Sequence, residues 1–265
     1  KTGSNNTALG AYALYTNTGG NENTAIGRQA LYYTTGDNNS AVGWRALWKN
    51  AGGSTNSAFG HESSRENTSG NYNAAFGSKS LINNKSGNNN TGIGNSALYK
   101  NTGGDYNTTV GHSSLYKVTG NNNTGLGKGA GNEITSGENN VIIGFDADVL
   151  TANKDKDNQI VIGATATGKG ENTAVIGNAS INAVYAAEDG QATIYAGEVD
   201  ATSLDISGDA DIDGTLTVDN VIITSSTVSA NGTTIGHTSV TDLLTLTNGL
   251  VAVAGEVSLT TLDID

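Results

Sequence analysis

The chain has 265 residues, with 37 Gly, no Pro, no Cys and no Met, and it carries a formal net charge of −12. Without Cys it cannot form a disulfide scaffold, a Cys-ligated zinc site or a thiol nucleophile, and its three His residues are too few for His-rich metal chemistry. No stretch approaches the ~20 apolar residues of a membrane-spanning helix, so we expect no cofactor, no bound metal and no membrane insertion.

A five-residue motif, Asn-(Thr/Ser)-Ala-(Leu/Ile/Val/Phe)-Gly with some variation, recurs from the N-terminus onward. Its nine clear copies begin and end at Asn6 and Gly10, Asn23 and Gly27, Asn39 and Gly43, Asn56 and Gly60, Asn73 and Gly77, Asn90 and Gly94, Asn107 and Gly111, Asn123 and Gly127, and Asn140 and Gly144. These glycines are 16 or 17 residues apart, and looser copies end at Gly163 and Gly177. Such a repeat is typical of one coil of a parallel β-solenoid, with two short strands and two turns per coil. We predict an all-β repeat roll of about ten coils over residues 1–177.

Two columns of side chains alternate within the predicted strands, one large and apolar, the other small. The large column is Leu9, Ile26, Val42, Phe59, Phe76, Ile93, Val110 and Leu126, and the small one is Ala8, Ala25, Ala41, Ala58, Ala75, Gly92, Thr109 and Gly125. We predict that the large column forms the core and that the small column is a smooth strip where other copies approach, giving a homotrimer. The motif asparagines are predicted to stack at a corner in left-handed backbone, and the glycines to lie where no side chain fits.

The composition changes between residues 169 and 195. All 13 Lys and Arg lie within residues 1–169 together with 11 acidic residues, whereas residues 170–265 hold 14 acidic residues and no basic one. We predict a transition segment over 178–200 and an acidic, β-rich trimeric shaft over 201–265. Asp209, Asp211 and Asp213 match the first half of a calcium-binding loop, but we favour their interpretation as outward-facing residues of a strand. The acidic charge argues against nucleic acid as a partner.

The repeat Asn-(Thr/Ser)-Ala-(Leu/Ile/Val/Phe)-Gly-x-x-(Ala/Ser)-Leu resembles the head repeats of trimeric autotransporter adhesins, which form left-handed parallel β-rolls in trimers. The longer period here, with segments 140–144 and 174–180, is more similar to bacteriophage tail-fibre proteins that carry the same roll. Segment 203–218 resembles shaft sequence of marine phage fibres. The resemblance implies a structural and receptor-binding segment of a phage tail fibre on the virion tail, which mediates host attachment. Its partners would be further copies of itself, other tail or fibre proteins, and a host-surface glycan or protein.

Aromatic residues occupy one repeat position in several coils and are the candidate receptor contacts. They are Tyr15, Tyr32, Trp48, Tyr99 and Tyr116, with Trp44 nearby and with Arg65 and Ile82 interrupting the column. Such a column could stack on the sugar rings of a surface glycan, but packing between coils or at a subunit seam is favoured. A roll that only spaces a binding domain outside this chain remains an equal alternative.

Two further functions stay open beside the tail fibre. One is the head of a bacterial trimeric adhesin at the cell surface, and the other is a polysaccharide-degrading tailspike with a site assembled between subunits. The chain has no phosphate-binding loop and no Ser–His–Asp arrangement in a suitable context, so we predict that it is not an enzyme. His61 and His112 have no His or Cys ligand partner in the sequence and are interpreted as surface residues.

Overall fold

The computed structural model describes residues 3–182 and residue 184. They form short β-strands separated by turns, and one 3-10 helical turn at Thr151–Asn153. In chain order, the strands are β1 (Thr7–Leu9), β2 (Thr24–Ile26), β3 (Ser40–Val42), β4 (Ser57–Phe59), β5 (Ala74–Phe76), β6 (Thr91–Ile93), β7 (Thr108–Val110), β8 (Thr124–Leu126), β9 (Val141–Ile143), β10 (Asp148–Val149), β11 (Ile160–Ile162), β12 (Thr167–Gly168) and β13 (Ala174–Ile176). The shaft predicted over 201–265, with Asp209, Asp211 and Asp213, lies outside the described residues.

Eleven of these strands form one parallel sheet in the order β1 to β9, then β11 and β13. Equivalent motif residues pair directly, as Ala8 does with Ala25, so each coil adds one strand in register. The prediction of an all-β parallel solenoid is therefore confirmed, and no α-helix occurs in the part of the chain that the structure describes.

The prediction of two strands per coil is wrong for most of the roll. Only the last coils carry a second strand, where β10 pairs with β12. In the earlier coils the segment after the motif glycine is a turn in which left-handed residues alternate with others, as at Arg45 (φ +54°) and Leu47 (φ +48°). This backbone places the leucine side chain inside the coil. The leucine N–H still donates a hydrogen bond to the next coil, as the Leu47 N–H does to the Ser63 carbonyl at 2.9 Å.

The assignment of the two strand faces is also wrong. Ala25, Ala41, Ala58 and Ala75 are fully buried inside the coils, as is the polar Thr109. The large apolar residues face outward instead: Leu9 is 65% exposed, and Ile26, Phe59, Phe76, Ile93, Val110 and Leu126 are exposed as well. The small column is thus the inner face of the sheet and cannot be a contact strip for other chains.

The width of the coil explains this orientation. In six coils a leucine four residues after the motif glycine already fills the interior: Leu14, Leu31, Leu47, Leu81, Leu98 and Leu115. Ser64 stands at this position after Gly60. Where Gly92 replaces the strand alanine, an added Cβ would lie 2.7 Å from the Ser80 hydroxyl oxygen and 3.4 Å from Leu81 Cγ. Only a small residue therefore fits opposite the leucine, because protein interiors leave few voids for a larger side chain.

Towards the C-terminal end of the roll, the large buried residue stands at the strand position and the small one at the leucine position. Gly131 stands at the leucine position of its coil, and the following strand carries buried Ile142 in place of alanine. An added Cβ on Gly131 would lie 3.4 Å from Ile142 Cγ1. Val161 is also fully buried at the inward position of β11. A smaller residue on one side of the coil thus accompanies a larger residue on the other side.

The motif asparagines form the predicted stacked column, which we call the asparagine ladder. Asn56 donates its Nδ2 to the Gly70 carbonyl at 2.8 Å, and its Oδ1 accepts the backbone N–H of Asn73 at 2.9 Å. The left-handed residue, however, is the one before the ladder asparagine, as at Thr55 (φ +59°). The ladder side chains provide hydrogen-bond partners for buried backbone groups. Asparagine is therefore required for its side-chain hydrogen bonds and not for a left-handed backbone.

The motif glycines occupy a corner without room for a side chain, as predicted. Gly43 has φ +134°, and an added Cβ would lie 2.4 Å from the carbonyl oxygen of Gly60 in the next coil. Both the backbone conformation and the close approach of the coils therefore require glycine.

Candidate interaction surfaces

The outward apolar residues of the sheet form a continuous surface that we call the outer apolar column. It consists of Leu9, Ile26, Val42, Phe59, Phe76, Ile93, Val110, Leu126, Ile143, Ile162 and Ile176, one residue from each strand of the large sheet. Phe59 and Phe76 stack with ring centroids 5.0 Å apart and an interplanar angle of 4°. At ~4.8 Å per strand the column is roughly 50 Å long. Soluble monomers rarely expose a continuous apolar surface of this size.

The predicted aromatic column is present on the turn segment after the motif glycine. Tyr15 and Tyr32 stack at 5.1 Å, and Tyr99 and Tyr116 stack at 4.8 Å. Trp48 lies 6.4 Å from Tyr32 in a tilted arrangement. The rings thus pack on one another from coil to coil while their outer edges remain accessible, since Tyr15 is exposed and the others are half-buried.

The two interruptions separate the aromatic column into two groups. Ile82 is buried. Arg65 donates to Glu62 at 2.7 Å and to Glu66 at 2.8 Å, so its guanidinium is neutralised within the chain. The first group is Tyr15, Tyr32 and Trp48, and the second is Tyr99 and Tyr116.

The first group continues into a cluster that we call the tryptophan patch, made of Tyr33, Trp44, Arg45, Trp48 and His61. Tyr33 meets Trp48 edge-to-face at 5.6 Å, and His61 lies 4.8 Å from Trp44. The guanidinium carbon of Arg45 lies 4.4 Å from the Trp44 ring centroid and 5.3 Å from that of Trp48. The sequence interpretation did not place Arg45 and His61 in this cluster. The segment Trp-Arg-x-x-Trp indicates only that Arg45 lies near both tryptophans, and His61 follows Trp44 by one repeat of 17 residues.

Positive charge is concentrated on the same side of the coils as the tryptophan patch. The six residues after each motif glycine from Gly10 to Gly127 include eight basic and three acidic side chains: Arg28, Arg45, Lys49, Arg65, Lys79, Lys100, Lys117 and Lys128, against Glu62, Glu66 and Glu133. The rest of residues 6–139 carries one basic and four acidic side chains: Lys85, against Glu22, Asp37, Asp105 and Glu138. This side of the roll therefore attracts anions.

Four of these cations have no carboxylate partner within residues 3–182: Arg28, Arg45, Lys79 and Lys100. Of the Arg45 donors, Nε bonds the side-chain oxygen of Gln29 at 2.9 Å. Its terminal N–H groups have no acceptor among the described residues. Arg45 thus combines an aromatic support with an unneutralised charge.

A carboxyl group with a displaced pKa lies near the C-terminal end of the roll. Burial, with a smaller contribution from the charge of Glu133, raises the pKa of Asp148 to about 6, although the N–H groups of Val149 and Glu133 and the charge of Lys117 oppose the shift. The Val149 N–H donates to Asp148 Oδ1 at 2.8 Å, and the Glu133 N–H donates to both carboxylate oxygens. These bonds give Asp148 a structural role, in which it caps the backbone at the start of β10.

The remaining sequence candidates do not form a metal or membrane site within the described residues. No group of three or more His, Asp or Glu side chains there could hold a metal ion, and no helix there is long and apolar enough to cross a membrane. His61 and His112 are exposed, as predicted for surface residues.

Comparisons with protein-family models, with curated proteins and with solved structures find no match to this chain. The fold class therefore follows from the sheet alone.

Proposed function

We propose that this chain is a structural segment of a trimeric phage tail fibre and that it mediates attachment to the host surface. The observation that carries the proposal is the outer apolar column. Its residues recur in every strand of the large sheet although they do not fill the interior of a single chain, and burial between chains would account for their repetition.

Three copies would meet with their sheet faces around a common axis. Each half-exposed apolar side chain gains about 25 cal/mol for every Å² removed from water, and the column offers eleven of them in line. The outward first residues of the strands, such as Thr24 and Ser57, flank the column with small side chains. They leave room for the close approach that an axis requires.

The fibre role rests on this assembly together with the resemblance of the repeat to phage fibre rolls. Backbone hydrogen bonds join each coil to the next along the described roll, which suits a part that transmits contact from the host surface. We propose no catalytic role, and we place the chain on the virion tail, with other tail or fibre proteins as its neighbours.

Mass and location together test the proposal. Light scattering should give three times the chain mass of 26.9 kDa, and antibodies against residues 1–177 should label virion tails. A folded monomer in solution would contradict the trimer. Labelling of the bacterial surface in the absence of phage would instead select the adhesin head, and release of reducing ends from host polysaccharide would select the tailspike.

A further inference from the structure

We infer that the tryptophan patch binds an acidic polysaccharide, with sugar rings against the accessible edges of the aromatic side chains and a sugar carboxylate on Arg45. The inference rests on the proposed function, because it names the class of host molecule that the roll would contact. It goes further in assigning one site and one charged group to that contact.

The state of Arg45 is the first observation. Its guanidinium is held over Trp44 at 4.4 Å and oriented by Gln29 through Nε, so its terminal N–H groups are fixed without a protein acceptor in the described part of the chain. A planar pair of such donors matches a carboxylate in a bidentate arrangement. Arg65 shows the alternative on the same side of the roll, since Glu62 and Glu66 neutralise it.

The aromatic surroundings are the second observation. Tyr33 is exposed, and Trp44 and Trp48 are half-buried beside Arg45, so they present apolar ring surface next to a positive charge. A sugar ring has an apolar face of C–H groups and polar substituents at its edge. An acidic sugar therefore complements the patch with both of its features, whereas a neutral sugar would leave Arg45 unpaired.

The positions of further cations on the same side of the roll indicate that the ligand is a polymer and not a single sugar. Arg28 lies one coil before Arg45, and Lys79 and Lys100 follow on the same side, all without a carboxylate partner within residues 3–182. A chain of like-charged sugars laid along the coils would meet these cations in turn. Such binding is weakened by salt, because exposed charges are screened over about 10 Å at 0.1 M ionic strength.

The test measures binding of the full chain to immobilised polygalacturonate, with dextran as the neutral polymer and single-stranded DNA as the other polyanion. We expect binding to polygalacturonate that decreases with salt and weaker or no binding to dextran. Arg45→Gln should weaken this binding roughly tenfold, as expected for the loss of a charge-assisted hydrogen-bond pair. The matched control is Lys85→Gln, which removes one exposed cation from outside the side of the coils that carries the tryptophan patch and should change binding less than about twofold.

Trp48→Ala is the second variant and should weaken binding by a similar factor while the trimer mass stays unchanged. Equal losses in Arg45→Gln and Lys85→Gln, tighter binding to DNA than to polygalacturonate, or no binding to polygalacturonate would each overturn the inference. A change of oligomeric state in either patch variant would also overturn it, because the patch would then be a subunit contact. If the chain is a trimer on virion tails and yet binds no acidic polymer, the proposed function stands and only this inference fails.

Discussion

The inner columns and the outer apolar column of the sheet obey different constraints. Inside the coils the alanines and leucines repeat because each one packs against a neighbour within the same chain. The outer column repeats just as regularly, although in one chain its residues are open to solvent. Regularity inside thus reflects the limited width of a coil. Regularity outside has no such cause within one chain, and it is the feature that the proposed trimer would explain.

Breaking the asparagine ladder should cost the most stability. Asn56→Ala removes the side chain that bonds the Gly70 carbonyl and the Asn73 N–H, and unpaired buried groups cost about 1–3 kcal/mol each. We expect a loss of about 2–4 kcal/mol, measured by denaturant unfolding. Asn95→Ala is the control, because Asn95 is exposed; a comparable loss there would show that the ladder bonds carry no special weight.

A larger side chain on the inner face of the sheet should cause the second largest loss of stability. Ala41→Leu places a large side chain opposite the buried leucines, and overpacking of this kind costs about 1–3 kcal/mol. Ser40→Leu, one residue earlier, puts the same side chain on the outer face, where it should not overpack the coil interior and should instead hinder assembly, read as a lower mass by light scattering. If the two variants behave in the opposite way, the faces of the sheet are reversed.

The carboxyl of Asp148 provides a pH test of the region where the coil acquires its second strand. Its folded pKa of about 6 lies above the unfolded value near 3.8, so the folded state favours the protonated acid. Stability from this group is complete below the unfolded pKa and is lost as the pH rises through 6. Asp148→Asn imitates the protonated form, and it should raise the unfolding temperature by about 2–4 °C at pH 7 and leave it unchanged near pH 4.

The exposed Asp146 supplies the control for this pH dependence. Asp146→Asn should show no such difference between the two pH values, because its ion pair with Lys128 is open to solvent and contributes little. A stabilisation of Asp148→Asn that is equal at both pH values would rule out titration of Asp148 as the cause.

Replacement of an exposed aromatic residue outside the outer apolar column should have the smallest effect on the free energy of unfolding. Tyr106 is 60% exposed and lies directly before a ladder asparagine, so Tyr106→Ser should change the free energy of unfolding by no more than about 0.5 kcal/mol. A larger loss, measured by the same denaturant titration, would indicate that this corner also packs against another chain.

The sequence predicts the coil length, the register of the strands and the corner glycines, because each of these repeats visibly along the chain. It does not predict which strand face is inside, because an alternation of period two defines two faces without saying which one is buried. Which face is buried depends on Leu47 and its equivalents. Their left-handed backbone, which the sequence does not predict, directs the leucine side chains into the coil. The aromatic column was predictable from its spacing. The role of Arg45 was not, because it depends on whether a carboxylate lies nearby in space.

The most direct test of the central claim is chemical cross-linking through the outer apolar column, since the natural chain contains no Cys. Ile93→Cys places a thiol in the column, and Tyr106→Cys places one at a more exposed position outside it. A short bismaleimide should join two chains of the Ile93→Cys protein and none of the Tyr106→Cys protein, as read on a denaturing gel. Cross-linking at Tyr106 alone, or at neither position, would contradict an assembly in which the outer columns meet.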